Sequence, residues 1–380
     1  MEHVELLSEF SMYLKDRKEQ ENKKIVAFMS HDNIPEELLD AAGIIPLRMS
    51  FAGSDDLMSA SNDYLPASTC SFAQTCIGLY SSKPHHYDFL NLVDYFMVSN
   101  HCVSDICASE IITKYFDIPR LNFYIPYTLN SEALQYYKNE LLELKKQLEI
   151  IIGREILNED ILKSIKKYNQ FKKKLSEVQE LSILGSQKLE IFQKAILYGP
   201  SYLNELEDII NKSKSDPVKV NNNKFDLIFT GCSMFIGDYL INLIEDSGGN
   251  IILFDTWIGH SYYSQVFLDE ELERIQDPLE LLVARFKNNE LGDHSVSNFL
   301  ENKVLQLKNL IDEHEQKTGK KAGVINHIIK FCDHINIFQT FLKERLQEKG
   351  IRFLNLERDY SRANRGQLST RIEAFMEMMG

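Results

Sequence analysis

Residues 24–49 read KIVAFMSHDNIPEELLDAAGIIPLRM, and their order decides the fold class. The apolar run Lys24–Met29 is short enough for a strand and too short for a helix. Pro35 followed by Glu36 and Glu37 then opens a helix, because proline suits the first helical turn and carboxylates suit its positive end. Gly43 closes that helix, and Ile44–Met49 returns to a strand. Strand, helix, strand in 26 residues is one unit of a parallel sheet.

The same alternation continues on either side of a different middle. Asp94–Asn100 (DYFMVSN) and Leu121–Tyr127 (LNFYIPY) supply two more strands with a helix between them. In the last third, Asp226–Gly231 is a strand, Asp238–Asp246 a helix and Asn250–Thr256 a strand. After a helical stretch come strand Gly323–Phe331, a further helix and strand Ile351–Glu357. Both regions follow one plan, so the expected fold is α/β: two similar lobes with small parallel sheets of Rossmann or flavodoxin-like type, joined by a helical segment.

That segment, from Ser131 to about Ser215, carries apolar residues at three- and four-residue spacing with Lys and Glu between them. Gly153 and Asn158 punctuate it as a C-cap and an N-cap would. The heptad phase is too irregular for a coiled coil, so a helical hairpin is expected. The division is an N-terminal helix over 1–22, a first lobe over 23–130, the helical segment over 131–221 and a second lobe over 222–380.

A formal charge of −14 repels nucleic acid and anionic membrane surfaces, so neither is an expected partner. No run approaches the roughly 18 apolar residues that a membrane span needs. MEHVELLSEFSMYLKDRKEQ at the start has no apolar signal core, and the chain is read as cytoplasmic. Its six cysteines are therefore packing residues, nucleophiles or metal ligands rather than disulfides.

Parallel sheets place ligands beyond the C-terminal ends of their strands, which sorts the cysteines. Cys102 follows the third strand of the first lobe, and Cys332 follows the third strand of the second. Cys70, in YLPASTC, stands where a loop ends and a helix begins. If the lobes face each other, these three thiols converge. Three soft sulfur ligands suit a [4Fe–4S] cluster with one open iron, or a catalytic zinc joined by His101 or His334. Buried unligated thiols are the plain alternative. Cys232, at the end of strand DLIFTG, competes for the same role. Cys76 and Cys107 lie inside helices, where packing is the expected use.

Other candidates carry less. Gly231 and Gly237 loosely resemble a phosphate-cradling turn, but no P-loop or dinucleotide fingerprint is present. His85 and His86 sit in a polar loop and are read as solvated. Asp333 is expected to cap the helix after Cys332. Arg362, Arg365 and Arg371 are candidates for phosphate contacts, with salt bridges to local acids as the alternative.

Several blocks in order carry a resemblance to a known family. They are IPEELLDAAGIIPLRM, DYLPASTCSFAQTCIG, YFMVSNHCVSDIC, LIEDSGGNIILFD, the stretch from INHIIKFCDHIN to FLNLERDY, and GQLSTRIEAFMEMM. Together they resemble the 2-hydroxyacyl-CoA dehydratase family, which includes benzoyl-CoA reductase subunits, over nearly the whole chain. The match is closest to the smaller, β-type dehydratase subunit. By that resemblance the cluster ligands fall on Cys70, Cys102 and Cys332. Members often have Cys-Asp where this chain has Cys102-Val103, and the additional cysteines of double-cubane relatives are missing.

The resemblance implies an enzyme subunit, a hydro-lyase component that relays an electron through a [4Fe–4S] cluster. The electron enters an (R)-2-hydroxyacyl-CoA as a ketyl radical, which loses hydroxide on the way to enoyl-CoA. Implied partners are an α-type dehydratase subunit, an ATP-dependent iron–sulfur activator protein and the acyl-CoA itself. A flavin in the holoenzyme is a further implied cofactor. No acid or base residue is assigned. A benzoyl-CoA reductase-like subunit and a self-sufficient homo-oligomer are alternatives within the family. A non-catalytic two-lobed binding protein is the alternative outside it.

Overall fold

The computed structural model describes residues 2–29, 34–215, 224–289 and 298–380. The first lobe contains β1 (Ile25–Phe28), β2 (Ile45–Arg48), β3 (Tyr95–Val98) and β4 (Arg120–Asn122). The second contains β5 (Phe225–Gly231), β6 (Gly249–Asp255), β7 (Gly323–Ile329) and β8 (Phe353–Arg358). All pairings are parallel, and the strand orders are β2-β1-β3-β4 and β6-β5-β7-β8. The two orders are the same once renumbered, so the two-lobed α/β plan read from the sequence is correct. Each order reverses beside its first strand. The crevice at such a switch point, here β1/β3 and β5/β7, is where open α/β sheets receive ligands.

Both faces of each sheet are covered, which is why the strands read as unbroken apolar runs. In β1, Ile25 and Ala27 enter one core, while Val26 and Phe28 enter another behind the sheet. The core that takes Ile25 continues without a break into the second lobe through Leu227, Phe229 and Ile325. A third core packs the outer face of the second sheet, holding Ile228 and Val324 against Leu307 and Leu346.

Four helices, not one hairpin, fill the middle: Ser131–Ile152, Asn158–Ser176, Gly185–Tyr198 and Leu203–Ser215. Gly153 is the left-handed C-cap expected, with φ of 69°. Asn158 is instead the first helical residue: Leu157 occupies the cap position, and its N–H donates to Asp160 Oδ2 at 3.3 Å. Strand β4 stops at Asn122, short of the expected Tyr127. The boundary expected between residues 221 and 222 lies outside the described residues.

Two backbone contacts tie the lobes together near their crevices. Ala52 N donates to Ile236 O and Ile236 N to Ser50 O, each at 2.9 Å, making a short parallel bridge between Phe51 and Ile236. Ser71 N donates to Lys330 O at 3.3 Å. Alongside, Phe72 stacks on Phe235 with ring centroids 4.4 Å apart. Burial of two such rings stabilises the junction by about 3–6 kcal/mol.

Candidate metal centre

The junction brings the two switch points to one pocket. Its lining includes Cys70, Cys102, Cys232 and Cys332, with His101, Asp105, Trp257 and His334 around them. The three cysteines expected to converge therefore do so, and the rival Cys232 joins them. Cys102 stands beyond β3 and Cys332 beyond β7, as their strand-end positions implied. Cys232 directly follows β5, so Cys232 and Cys332 flank the second lobe's crevice. In the first lobe Met29 holds the place that Cys232 holds in the second.

Local backbone structure aims the sulfurs. Cys70, Cys102 and Cys332 each occupy the cap position of a helix: Ser71–Ser82, Val103–Tyr115 and Asp333–Asn336. Asp333 is thus the first residue of its helix and not the cap, which is the cysteine itself. The N–H of Asp105 donates to Cys102 Sγ at 3.4 Å. The N–H of Ile329 donates to Cys232 Sγ, also at 3.4 Å. Phe331 takes a left-handed φ of 62°, uncommon for an aromatic residue, and this turn carries the chain from β7 to Cys332.

The thiols interact with one another. A hydrogen bond with Cys332 raises the Cys70 thiol pKa well above its ordinary value; burial adds to this, while the N–H groups of Ala73 and Phe72 oppose it. For Cys332 the hydrogen bond to Cys232 raises the pKa, and burial reinforces it. Burial is the main cause for Cys102, followed by the carboxylate of Asp105. At neutral pH these groups are protonated thiols, so any metal that takes them as thiolates must displace protons.

The donor set fits an iron–sulfur cluster. Four soft sulfurs from four chain segments share one pocket, and backbone N–H groups point at them, the arrangement that offsets thiolate charge and tunes such clusters. Among the described residues no three His, Cys, Asp or Glu side chains gather round one point as a single ion requires. A cubane makes a different demand, because its ligands surround a box of separate irons.

Behind this pocket lies a network that sequence reasoning missed. His327, on β7 and fully buried, bonds through Nδ1 to Cys232 O at 2.8 Å. Arg358 Nε donates to its Nε2 at 3.1 Å, so Nδ1 carries the proton. Arg358 is held in turn by Asp238. A lone histidine inside the apolar run GVINHIIKF was the available signal. Burial, then the Arg358 charge, lowers the His327 pKa to about 3 from 6.5. The folded pKa is depressed, so the stability is present above pH 6.5 and is lost as pH falls towards about 3. The loss across that window is on the order of 5 kcal/mol. Urea titrations of the metal-free protein should show a flatter acid limb for His327→Gln than for wild type. Equal slopes would refute this assignment.

The remaining candidates separate clearly. Cys76 is buried in the core, as expected, but Cys107 is exposed rather than packed in a core. Gly231 and Gly237 have φ of 90° and 91°, yet no helix of useful length follows them; Gly231 serves close approach to β7. His85 and His86 are exposed on a 3₁₀ turn. Arg371 donates to Asn355 O at 2.6 Å. Arg362 and Arg365 line an open groove, where the Arg362 N–H donates to Asp55 Oδ2 at 3.4 Å and the Arg365 guanidinium lies over the Tyr239 ring.

Comparison with known proteins places the chain in a family. Residues 33–379 match the family described as 2-hydroxyglutaryl-CoA dehydratase, D-component. The chain belongs to this family. It is 25% identical to the (R)-phenyllactyl-CoA dehydratase beta subunit of Clostridium sporogenes, over 97% of this chain and 95% of that protein. It is also 25% identical to a benzoyl-CoA reductase subunit of Thauera aromatica, over 88% and 86% respectively. The (R)-2-hydroxyglutaryl-CoA dehydratase beta subunit of Acidaminococcus fermentans is 23% identical, over 91% and 90%. The match covers most of both lobes and includes Cys70, Cys102, Cys232 and Cys332. No helix among the described residues is long and apolar enough to cross a membrane.

Proposed function

We propose that this chain is the β-type subunit of a 2-hydroxyacyl-CoA dehydratase and holds a [4Fe–4S] cluster on Cys70, Cys102 and Cys332. The observation that carries the reading is the meeting of those three thiols, from two lobes, in one pocket of a dehydratase-family chain. Its partners in this reading are an α-type subunit, an ATP-dependent iron–sulfur activator and the acyl-CoA. The overall reaction removes water from an (R)-2-hydroxyacyl-CoA to give the enoyl-CoA.

Such a reaction needs help beyond acid–base catalysis, because the β-hydrogen removed is far less acidic than any side-chain base can address. When bound, the cluster supplies one electron at low potential for the thioester carbonyl. The chain's own residues hold and shield the site. Cys70, Cys102 and Cys332 would give up their protons to become ligands, and the Asp105 N–H at the start of the helix after Cys102 already donates to the Cys102 sulfur. Phe72, Phe235 and Trp257 wall the pocket with apolar rings. The Arg48 guanidinium stacks on the Trp257 ring at 4.1 Å, placing a buried positive charge just behind that wall.

Anoxic purification followed by iron and sulfide analysis tests the reading. Wild type should carry about four of each per chain. Cys70→Ser, Cys102→Ser and Cys332→Ser should each lose most of both, whereas Cys107→Ser, altered at an exposed position, should keep them. Full iron in all three of the first variants would sink the proposal.

A further inference from the structure

We propose that Cys232 is the fourth protein ligand of the cluster in this chain, closing the iron that three cysteines would leave open. The inference rests on the function proposed above and deepens it. Its basis is the placement of Cys232 in the fold.

Cys232 and Cys332 stand at the two strand ends that flank the β5/β7 switch point, the position where such a sheet meets its ligand. Cys232 lines the same pocket as Cys70, Cys102 and Cys332, so it is within reach of the set. The backbone at Cys232 is fixed at both polar atoms. Its N–H donates to His327 O at 2.8 Å, and its carbonyl accepts from His327 Nδ1 at 2.8 Å. Its sulfur accepts from Ile329 N–H and lines the pocket. A residue placed only for packing needs none of these restraints. The equivalent place in the first lobe holds Met29, whose neutral thioether is a poor ligand for iron beside thiolates.

Ligation by Cys232 is a substitution without redox change. The Cys232 thiol would release its proton to solvent as its sulfur takes the fourth iron's remaining coordination position and displaces the solvent ligand there. With four protein thiolates the cluster offers no iron to a substrate oxygen. The chain is then confined to electron transfer, and the acyl-CoA must be bound by the partner subunit.

The test compares wild type with Cys232→Ala and Cys232→Ser, all purified anoxically with ⁵⁷Fe. Wild type should show only thiolate-ligated iron by Mössbauer spectroscopy and no change in the reduced-cluster EPR signal on adding cyanide. Cys232→Ala should keep its iron but gain one distinct iron site and a cyanide-sensitive signal. It should also lose that iron on ferricyanide oxidation, leaving a [3Fe–4S] signal. A distinct, cyanide-sensitive iron already present in wild type overturns the fourth-ligand assignment, and that measurement does not depend on the variants folding. If the assignment fails this way while Cys70→Ser, Cys102→Ser and Cys332→Ser lose their iron, the proposed function stands. A wild type that holds no iron and sulfide overturns both.

Discussion

Glu37→Ala is expected to cost about 3–5 kcal/mol of folding stability, the range for removing one member of a buried ion pair. Glu37 is 1% exposed. Both its oxygens meet the Arg285 guanidinium, one of them at 2.9 Å, and Lys172 Nζ lies 3.8 Å away. Burial alone would raise its pKa, but Arg285 and Lys172 prevail and bring it to about 2. Beside it, Glu36 binds Arg48 at 2.8 Å and the Tyr262 hydroxyl at 3.0 Å. Removing Glu37 leaves two buried cations, Arg285 and Lys172, without the carboxylate that pairs them. Lys172 has an escape, because burial followed by the Arg285 charge already lowers its pKa to about 8, so it can shed its proton. Arg285 has none. Urea unfolding of the metal-free protein measures the loss. Glu37→Met combined with Arg285→Met should recover most of it, since a buried pair replaced by apolar groups is often neutral. A loss below about 1 kcal/mol in Glu37→Ala would contradict this account.

The same pair shows what one sequence can and cannot reveal. Glu36 and Glu37 read correctly as residues of a helix start, because charge and dipole act over a few residues. Their main partners are far along the chain: Arg285 is 248 positions from Glu37, and Tyr262 is 226 from Glu36. Periodicity carries no information at that separation. The strands were legible because burial on both faces forces an apolar run at each one, and the C-terminal ends of strands then placed Cys102 and Cys332. Cys70 was less secure. Its approach to Cys332 depends on Ser71 N meeting Lys330 O and on Phe72 stacking against Phe235, both contacts between lobes. The resemblance to a family singled out Cys70, Cys102 and Cys332 where spacing left Cys232 as a rival. The structure places all four in one pocket, so the choice among them becomes a question of how many bind.

Gly231→Ala is expected to destabilise the protein by about 3 kcal/mol, the sum of backbone strain and an unavoidable clash. Gly231 has a φ of 90°, a conformation that costs an L-residue about 1–2 kcal/mol. A Cβ there would lie 2.3 Å from His327 O and 2.5 Å from Asn326 Oδ1. The first of these is backbone in β7, and it also accepts the Cys232 N–H, so it cannot yield without opening the crevice between β5 and β7. Gly153→Ala is the control: φ is 69°, but nothing lies within 4 Å of the added methyl. It should cost only the backbone part, about 1 kcal/mol. The difference between the two variants in urea unfolding therefore isolates the crowding at the switch point. If Gly231→Ala and Gly153→Ala lose the same stability, His327 O has moved aside freely, and the restraint on Cys232 is weaker than its hydrogen bonds indicate.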